Sequence, residues 1–369
     1  MNFDIAIIGG GNAGLSLARN LFRDKTKKKI IVIEPELPDN KVANWCTWMH
    51  RDNLPIYKKS IKGSWENWTV SDKTQTINHS SASYKYVCID ASMYLSQIEN
   101  ELHNSNIQIL RDSVVEISEK NKRKEIICKN NMISSIHVYD SRPPEIKTDL
   151  LRQHFYGIEF EFMEKHHINS VILMDFDVTQ SSGLHFIYAL PLSERKLFVE
   201  STVISKEFNQ KQWYEDQIEL WMENKNLDYL KKLSYEEGVI AQDKINYKNE
   251  GIHFIGARGG AVRLSSGYTF HNIQSQAAKL ADNIRNDGYD VPVAMSKFVS
   301  FMDRIFNKVL INEPQIAVDL FLNTTQSLSA DDFAKFMLNK ANFNIWSKVI
   351  AQMPKTPFIR QAFKSITRG

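Results

Sequence analysis

The chain has 369 residues, 43% of them hydrophobic and 24% charged, which is enough to bury a sizeable core and speaks against disorder; its length suggests two interlocking subdomains and a third element. Lys and Arg number 46 against 43 Asp and Glu, a net charge of +3 that argues against a nucleic-acid binder and leaves local charge as the informative quantity. Cys46, Cys88 and Cys128 lie far apart with no CxxC pair, so neither a disulfide framework nor a zinc site is indicated and a reducing cytoplasm fits. The first apolar run begins at Phe3 and is broken by Gly9 to Gly11, so it reads as neither signal peptide nor membrane span. Nowhere do roughly 18 apolar residues run together, and any membrane contact is expected to be peripheral.

The N-terminal stretch FDIAIIGGGNAGLSLARNLF predicts a buried strand over Phe3 to Ile8, then Gly9, Gly11 and Gly14 in GxGxxG spacing, then a helix carrying Leu15, Leu17, Ala18 and Leu21. Glycines there permit a tight turn, close approach of backbone to a pyrophosphate, and close helix–strand packing, and the helix N-terminus offers free N–H groups. KKIIVIEP supplies a second strand ending in Glu34, about 20 residues on, where an acid can accept hydrogen bonds from a ribose diol. Dinucleotide binding is therefore expected, with Asn12 and Ala13 inside the turn as further contacts. The chain then departs from a regular NAD domain. It runs into the aromatic segment NWCTWMH and an irregular, polar stretch over 50–84 before a helix at about 90–103, capped by Asp90, and strands at about 107–117, 124–128 and 133–139. A nucleotide unit interrupted and resumed suits an FAD-binding fold of the glutathione-reductase type, with Val114 and Asp140 among the candidate cofactor contacts. Asp140 and Arg142 read equally as support for that site or as a local ion pair.

Residues 184–204 predict a hairpin whose second strand, within RKLFVESTVIS, carries Glu200. Period-two alternation puts Glu200 on one face with Phe198, Thr202 and Ile204, so its carboxylate points at apolar surroundings. The plain reading is an edge strand with a solvated face or a buried salt bridge; the alternative is a functional acid. His185 alternates onto the face opposite Phe186 and Tyr188 and reads as structural. A helix over 207–223 presents Trp213, Ile218, Trp221 and Met222, as core or as the wall of a hydrophobic tunnel. Next, IHFIGARGGAVRLSSGYTFHNIQSQAAKLADNI gives a strand over Ile252 to Ile255, a loop with Gly256, Gly259, Gly260 and Gly267, and a helix with Ile273, Ala277, Leu280 and Ile284. Such a loop can set backbone N–H groups against a flavin ring edge.

From residue 292 the pattern is helical, with Met295, Phe298, Val299, Met302, Ile305, Phe306 and Val309 on one face. No acid follows Asp332, and Lys355, Arg360, Lys364 and Arg368 sit among Phe358, Ile359, Phe363 and Ile366. That tail suits an anionic membrane surface, and equally an ordinary helix with solvated basic side chains.

Several segments together resemble the lycopene cyclase family of flavoproteins: IIGGGNAGLSLA, WCTW, QHFYGIEFE, ILMDFDV, GLHFIYALPLSERKLFVEST and IGARGGAVRLSSGYTF, in family order over roughly residues 3–285. The resemblance implies an α/β chain. Its FAD-binding Rossmann-like domain would comprise 1–50, 85–145 and 245–290, with an interleaved β-sheet substrate domain of 51–84 and 146–244 and a helical region of 291–369. It also implies a redox-neutral isomerase (an intramolecular lyase) that uses reduced FAD, with NAD(P)H as reductant, to close β-ionone rings on lycopene or a related polyene at a membrane surface. Glu200 matches the glutamate considered essential in that family and would be the general acid. This chain has Ser201 where a second acid or a tyrosine is frequent, and Asn44 where a threonine is usual. Two other expectations stay open on the residues alone: a flavin monooxygenase or reductase of a hydrophobic substrate, and a non-catalytic flavin- or lipid-binding protein.

Overall fold

The computed structural model describes residues 1–103, 105–147, 149–245 and 251–367. The strand Asn2–Ile8 and the strand Ile30–Ile33 are almost continuously apolar because both sit inside a parallel sheet covered on its faces. That sheet runs Ile107–Leu110, Ile30–Ile33, Asn2–Ile8, Met132–Asp140, Arg123–Cys128 and Val114–Lys120, with the two-residue strand His253–Phe254 pairing in parallel at the end of Met132–Asp140. Helices Asn12–Arg23, Ala91–Leu102 and Phe270–Arg285 cover one face through Leu15, Leu95, Ile98, Leu280 and Ile284. The Asp90 side chain caps the second of these by accepting from the Met93 N–H at 2.9 Å.

A second, seven-stranded sheet follows the order Lys231–Ala241, Arg152–Glu161, Lys196–Ser205, Leu184–Ser193, Val171–Asp175, Asn67–Ser71, Thr76–Ser80. The expected hairpin is its centre. Lys196–Ser205 lies between two long antiparallel partners, so the edge-strand reading of Glu200 fails: both faces of this strand are covered. Phe198 and Ile204 enter the core shared with the C-terminal helices, while Leu197, Val199 and Val203 pack under the helix Lys211–Asn224. The Asn209 N–H reaches the Tyr214 hydroxyl at 3.4 Å, and the helix accordingly begins at Lys211 rather than near 207. Tyr214, Ile218, Trp221 and Met222 are core of that far side.

The stretch 50–84 is not irregular. It holds a short helix, Leu54–Tyr57, and three strands, Ile61–Trp65, Asn67–Ser71 and Thr76–Ser80. Its polarity comes from exposed strand faces, with Trp68, Val70 and His79 buried at alternate positions. Ile61–Trp65 joins Asn44–His50 on either side of Tyr84–Asp90 in a three-stranded sheet that links the two larger ones. Five helices, Lys297–Asn312, Ala317–Gln326, Ala330–Met337, Phe343–Gln352 and Lys355–Thr367, complete the described chain. Arg368 and the Ile366 side chain lie outside the described residues.

The first glycines act differently. A Cβ on Gly14 would stand 1.9 Å from the Gly9 carbonyl oxygen, whereas one on Gly11 meets nothing within 4 Å. Gly14→Ala is therefore expected to cost at least the roughly 1–3 kcal/mol typical of overpacking, measured by denaturant unfolding. Gly11→Ala should stay within about 0.5 kcal/mol of wild type.

Candidate active site

Two cavities and one buried acid define the site. The larger cavity, about 1270 Å³, lies over the carboxyl ends of the parallel strands, as expected where a doubly wound sheet binds ligands. Of the residues expected from the sequence to contact a cofactor, Gly9, Gly11, Asn12, Ala13, Glu34, Val114 and Gly260 line it. Gly14, Asp140, Gly256 and Gly267 do not. Gly14 fixes the helix against the strand, and Gly256 (φ +67°) allows the second glycine loop to meet the first, since a Cβ there would lie 2.6 Å from the Ala13 Cβ. Gly267 (φ +73°) faces Gln153, not the cleft.

Asp140 is only 1% exposed, and its carboxylate accepts from Arg142 and Arg258, each at 2.7 Å. Both arginines line the cleft, so the two readings of Asp140 merge: the ion pair is local and it aims cations at the cavity. Glu34 accepts from the Gly10 N–H at 2.6 Å, Lys41 at 2.7 Å and the Glu36 N–H at 3.0 Å. Burial alone would raise its pKa, but Lys41 and the two N–H groups outweigh it and hold the acid below its ordinary value. A carboxylate has about four acceptor positions, so one remains for a ribose hydroxyl.

The residues fit a dinucleotide. The cleft exceeds the roughly 300–1,000 Å³ of drug-sized ligand sites. Gly11 and Gly260 leave open space where a side chain would intrude, and Arg142, Arg258, Lys297 and Arg304 supply positive charge for a pyrophosphate.

The second cavity, about 280 Å³, lies under the C-terminal helices and was not foreseen. Its walls are mainly apolar, including Trp48, Phe306, Phe321, Phe333, Phe336 and Trp346. The sequence offered Trp213 and Trp221 as tunnel walls, but both pack on the opposite face of the sheet, where Trp213 stacks beside His185. His185 bonds the Thr179 carbonyl and the Ser201 hydroxyl at 2.8 and 2.9 Å, and burial lowers its pKa to about 4; it is a satisfied neutral histidine.

Two segments separate the cavities. In Asn44–His50, Trp45 lines the cleft while Trp48, on the other face, lines the apolar cavity. In the second glycine loop, Gly259, Gly260 and Thr269 face the cleft, and Ser265, Ser266 and Tyr268 face the cavity. Arg263 ties this loop to the C-terminal helices by donating to the Phe336 carbonyl and lying 4.3 Å over the Phe336 ring.

Glu200 lines neither cavity; it is buried in the central strand beside them, 9% exposed, and forms no ion pair among the described residues. Its Oε1 accepts from the Thr202 hydroxyl at 2.6 Å. Burial raises its pKa to about 8, against the Thr202 hydrogen bond and helped by the charge of Glu236. Its register neighbour Tyr188 begins a row of phenols: the Tyr86 hydroxyl is 3.0 Å from that of Tyr188 and 2.8 Å from that of Tyr268. Burial pushes all three well up, so they stay neutral donors. Nothing in the linear sequence singled out these tyrosines or Glu236, because strand pairing brings them to Glu200.

The comparisons with known proteins agree with this geometry. A family model described as lycopene cyclase protein matches residues 4–310. The chain belongs to the lycopene cyclase family. A lycopene beta-cyclase of Pantoea ananas is 25% identical over 211 residues, 54% of this chain and 52% of that protein; the chain spans about half the length of this curated relative. Among solved structures, a geranylgeranyl bacteriochlorophyll reductase-like protein from Thermoplasma acidophilum superposes with a TM-score of 0.67 at 12% identity, covering 98% of this chain and 99% of that one. The flavin-dependent brominase Bmp2 gives 0.59 at 13%, covering 100% of both. A variant of the halogenase PltM solved in complex with FAD gives 0.57 at 8%, covering 96% and 87%. At these identities the likeness is one of fold, and the fold is the FAD-binding Rossmann-like α/β architecture expected from the glycine turns.

The raised pKa of Glu200 has a consequence for stability that does not depend on function. A carboxyl whose folded pKa exceeds its unfolded value keeps its proton in the folded state after the unfolded chain has lost it. Folding stability then falls as pH rises from the ordinary value of 4.5 through about 8. Within that window the loss is at most about 1.4 kcal/mol for each rise of one in pH. Glu200→Gln, which carries no charge, should therefore gain in melting temperature relative to wild type between pH 5 and pH 9, read by thermal unfolding at a series of pH values. An unchanged difference would mean that the carboxylate is solvated.

Proposed function

We propose that this protein is a flavin-dependent lycopene β-cyclase, an isomerase that closes β-ionone rings on a linear polyene without net redox change. The observation that carries this reading is a buried carboxylic acid, Glu200, without an ion pair among the described residues, whose pKa burial raises to about 8 and which is connected through Tyr188 and Tyr86 to Tyr268 in the wall of the apolar cavity. Cyclisation needs a proton delivered to a terminal C=C bond, shelter for the resulting tertiary cation, and loss of a ring proton. Glu200 would give the proton. Phe198, Tyr188 and Trp48 offer aromatic faces near it, which favour a cation without adding a nucleophile. Gly11, Gly260, Arg142 and Arg258 would hold FAD. When bound in its reduced form, with NAD(P)H as the reductant, FAD would supply negative charge beside the cation.

Access to the substrate supports a place at a membrane surface. Ile350 and Ile359 are exposed and also line the apolar cavity, so it opens at the last two helices. The same two helices expose Phe343 at 88% and Phe363 at 67%, and the last of them carries Lys355 and Lys364. Arg360 is instead engaged by Glu313 at 2.9 Å. No helix among the described residues is long and apolar enough to cross a membrane.

Expression in lycopene-accumulating cells should convert the pigment to products with β-rings, as read by chromatography and absorption spectra. Glu200→Gln, purified with flavin bound, should cyclise about 10²–10⁴-fold more slowly. A wild-type protein that consumes NAD(P)H stoichiometrically with substrate would point instead to a monooxygenase or reductase, and one that binds flavin without turnover to a carrier.

Membrane attachment is expected to weaken with salt, since exposed charges beyond about 10 Å are screened at 0.1 M. Flotation with anionic vesicles at low and high salt measures this, and Phe343→Ser with Phe363→Ser should reduce the salt-resistant part.

A further inference from the structure

The strand Arg152–Glu161 carries Gly157 opposite Glu200 on one side and opposite Glu236 on the other. The two acids are thus aligned on one sheet face, two strand spacings or about 10 Å apart at their backbones. Gly157 makes the arrangement possible: a Cβ there would lie 2.4 Å from the Phe198 ring and 3.2 Å from the Glu200 Cβ. The space between the acids is therefore filled by the Phe198 ring instead of water.

Glu236 is held from one direction. The Asn44 N–H donates to both of its oxygens, at 3.0 and 3.2 Å, and the Asn44 side-chain amide donates to Oε2 at 2.8 Å. These three hydrogen bonds from two N–H groups of one residue favour the ionised carboxylate. We propose that Glu236 is the second carboxylate of the site: oriented by Asn44, which opposes the effect of burial and favours its ionised form, it acts through its charge on Glu200 and keeps Glu200 a proton donor. It is a positioning residue and touches no reacting atom. The inference rests on the cyclase reading for its purpose, and on the strand register for its geometry.

The other groups around the pair leave this assignment intact. Facing Glu200 are Thr202 on its own strand, neutral Tyr188 on the next, and neutral Tyr268 from the glycine loop. Facing Glu236 are Asn44, the neutral thiol of Cys46, and Lys62, the one cation near it among the described residues. Lys62 is committed to Glu159 at 2.7 Å and to the Asn44 carbonyl oxygen of the side chain at 3.3 Å, so it orients Asn44 without neutralising the pair. Glu236 keeps partial exposure on its edge strand, yet burial raises it to about 7 against the pull of Asn44 and Lys62. Glu200 is raised further than Glu236, so where the coupled pair holds a single proton Glu200 is its main carrier.

The test is a pair of measurements on flavin-loaded protein. In the pH–rate profile for cyclisation, the wild-type rate falls as pH rises through about 8, where Glu200 loses its proton. Glu236→Gln should move that fall to lower pH by on the order of one unit, the effect of a charge about 10 Å away at an effective dielectric constant of about 20. Glu236→Asp keeps the charge and should restore the wild-type position. A merely structural glutamate would lower the rate at every pH and leave the position unchanged, which would overturn the proposal. Infrared spectra without substrate supply the second measurement and stand even if no ring is formed. At pH 7.5 a protonated-carboxyl C=O band should be present in wild type, absent in Glu200→Gln, and weakened in Glu236→Gln. Should Glu236→Gln not fold, Asn44→Ala removes the side-chain amide donor to Glu236, together with the oxygen that accepts from Lys62, keeps the backbone N–H, and should shift the wild-type band from Glu200 toward Glu236. A Glu200 band unaltered by either substitution refutes the assignment.

Discussion

The structure turns on the cost of placing a carboxyl in the middle of a central strand. Lys196–Ser205 is covered on both faces, so Glu200 can meet neither solvent nor a cation, and its one short hydrogen bond comes from Thr202 on the same strand. An ionised group there would be expensive, and the chain resolves the conflict by protonation instead of pairing. Such a site requires neighbours that neither neutralise the acid nor offer it water. Tyr188, Tyr86 and Tyr268 meet both conditions, since their phenols are neutral and bond to one another in a row.

The two cavities need a wall between them that is thin enough for a group on one side to influence chemistry on the other. A β-strand does this with one backbone thickness, because successive side chains point to opposite faces. Asn44–His50 places Trp45 at the dinucleotide cleft and Asn44, Cys46 and Trp48 toward the acids and the apolar cavity. The WCTW motif is thus legible as a partition once its period is applied to the structure. The glycine loop ending at Thr269 does the same without regular secondary structure, and the buried Arg263 keeps it seated on the C-terminal helices.

Local signals in the sequence were reliable where the physics is local. The GxGxxG turn, the Asp90 cap and the period-two hairpin around Glu200 each depend on residues within about one element length, and each lies where the pattern placed it. The stretch 50–84 failed because its strands are short and lie at or next to sheet edges, where one face of each is partly exposed and polar and the apolar alternation is diluted. The aromatic residues of Lys211–Asn224 show a different limit. Helical spacing reveals that Trp221 is buried, but not which side of a seven-stranded sheet it is buried against, and that side is the one away from Glu200.

Glu236 marks the deepest limit. Its strand reads KKLSYEEGVIA, a charged and largely exposed edge in which one glutamate looks like its neighbour Glu237. What separates them is the pleat: Glu236 falls on the face shared with Glu200 across Gly157, and Glu237 opposite Tyr156 falls on the other. Asn44 is similarly undistinguished in sequence until the three-stranded sheet brings its amide against Glu236. Ser201, beside Glu200 in sequence, points to the far face and bonds His185. An acid at 201 would alternate onto that same far face and could not share a sheet face with Glu200. The position two strands away can, which is why register, and not adjacency in the chain, decides which second carboxylate Glu200 has.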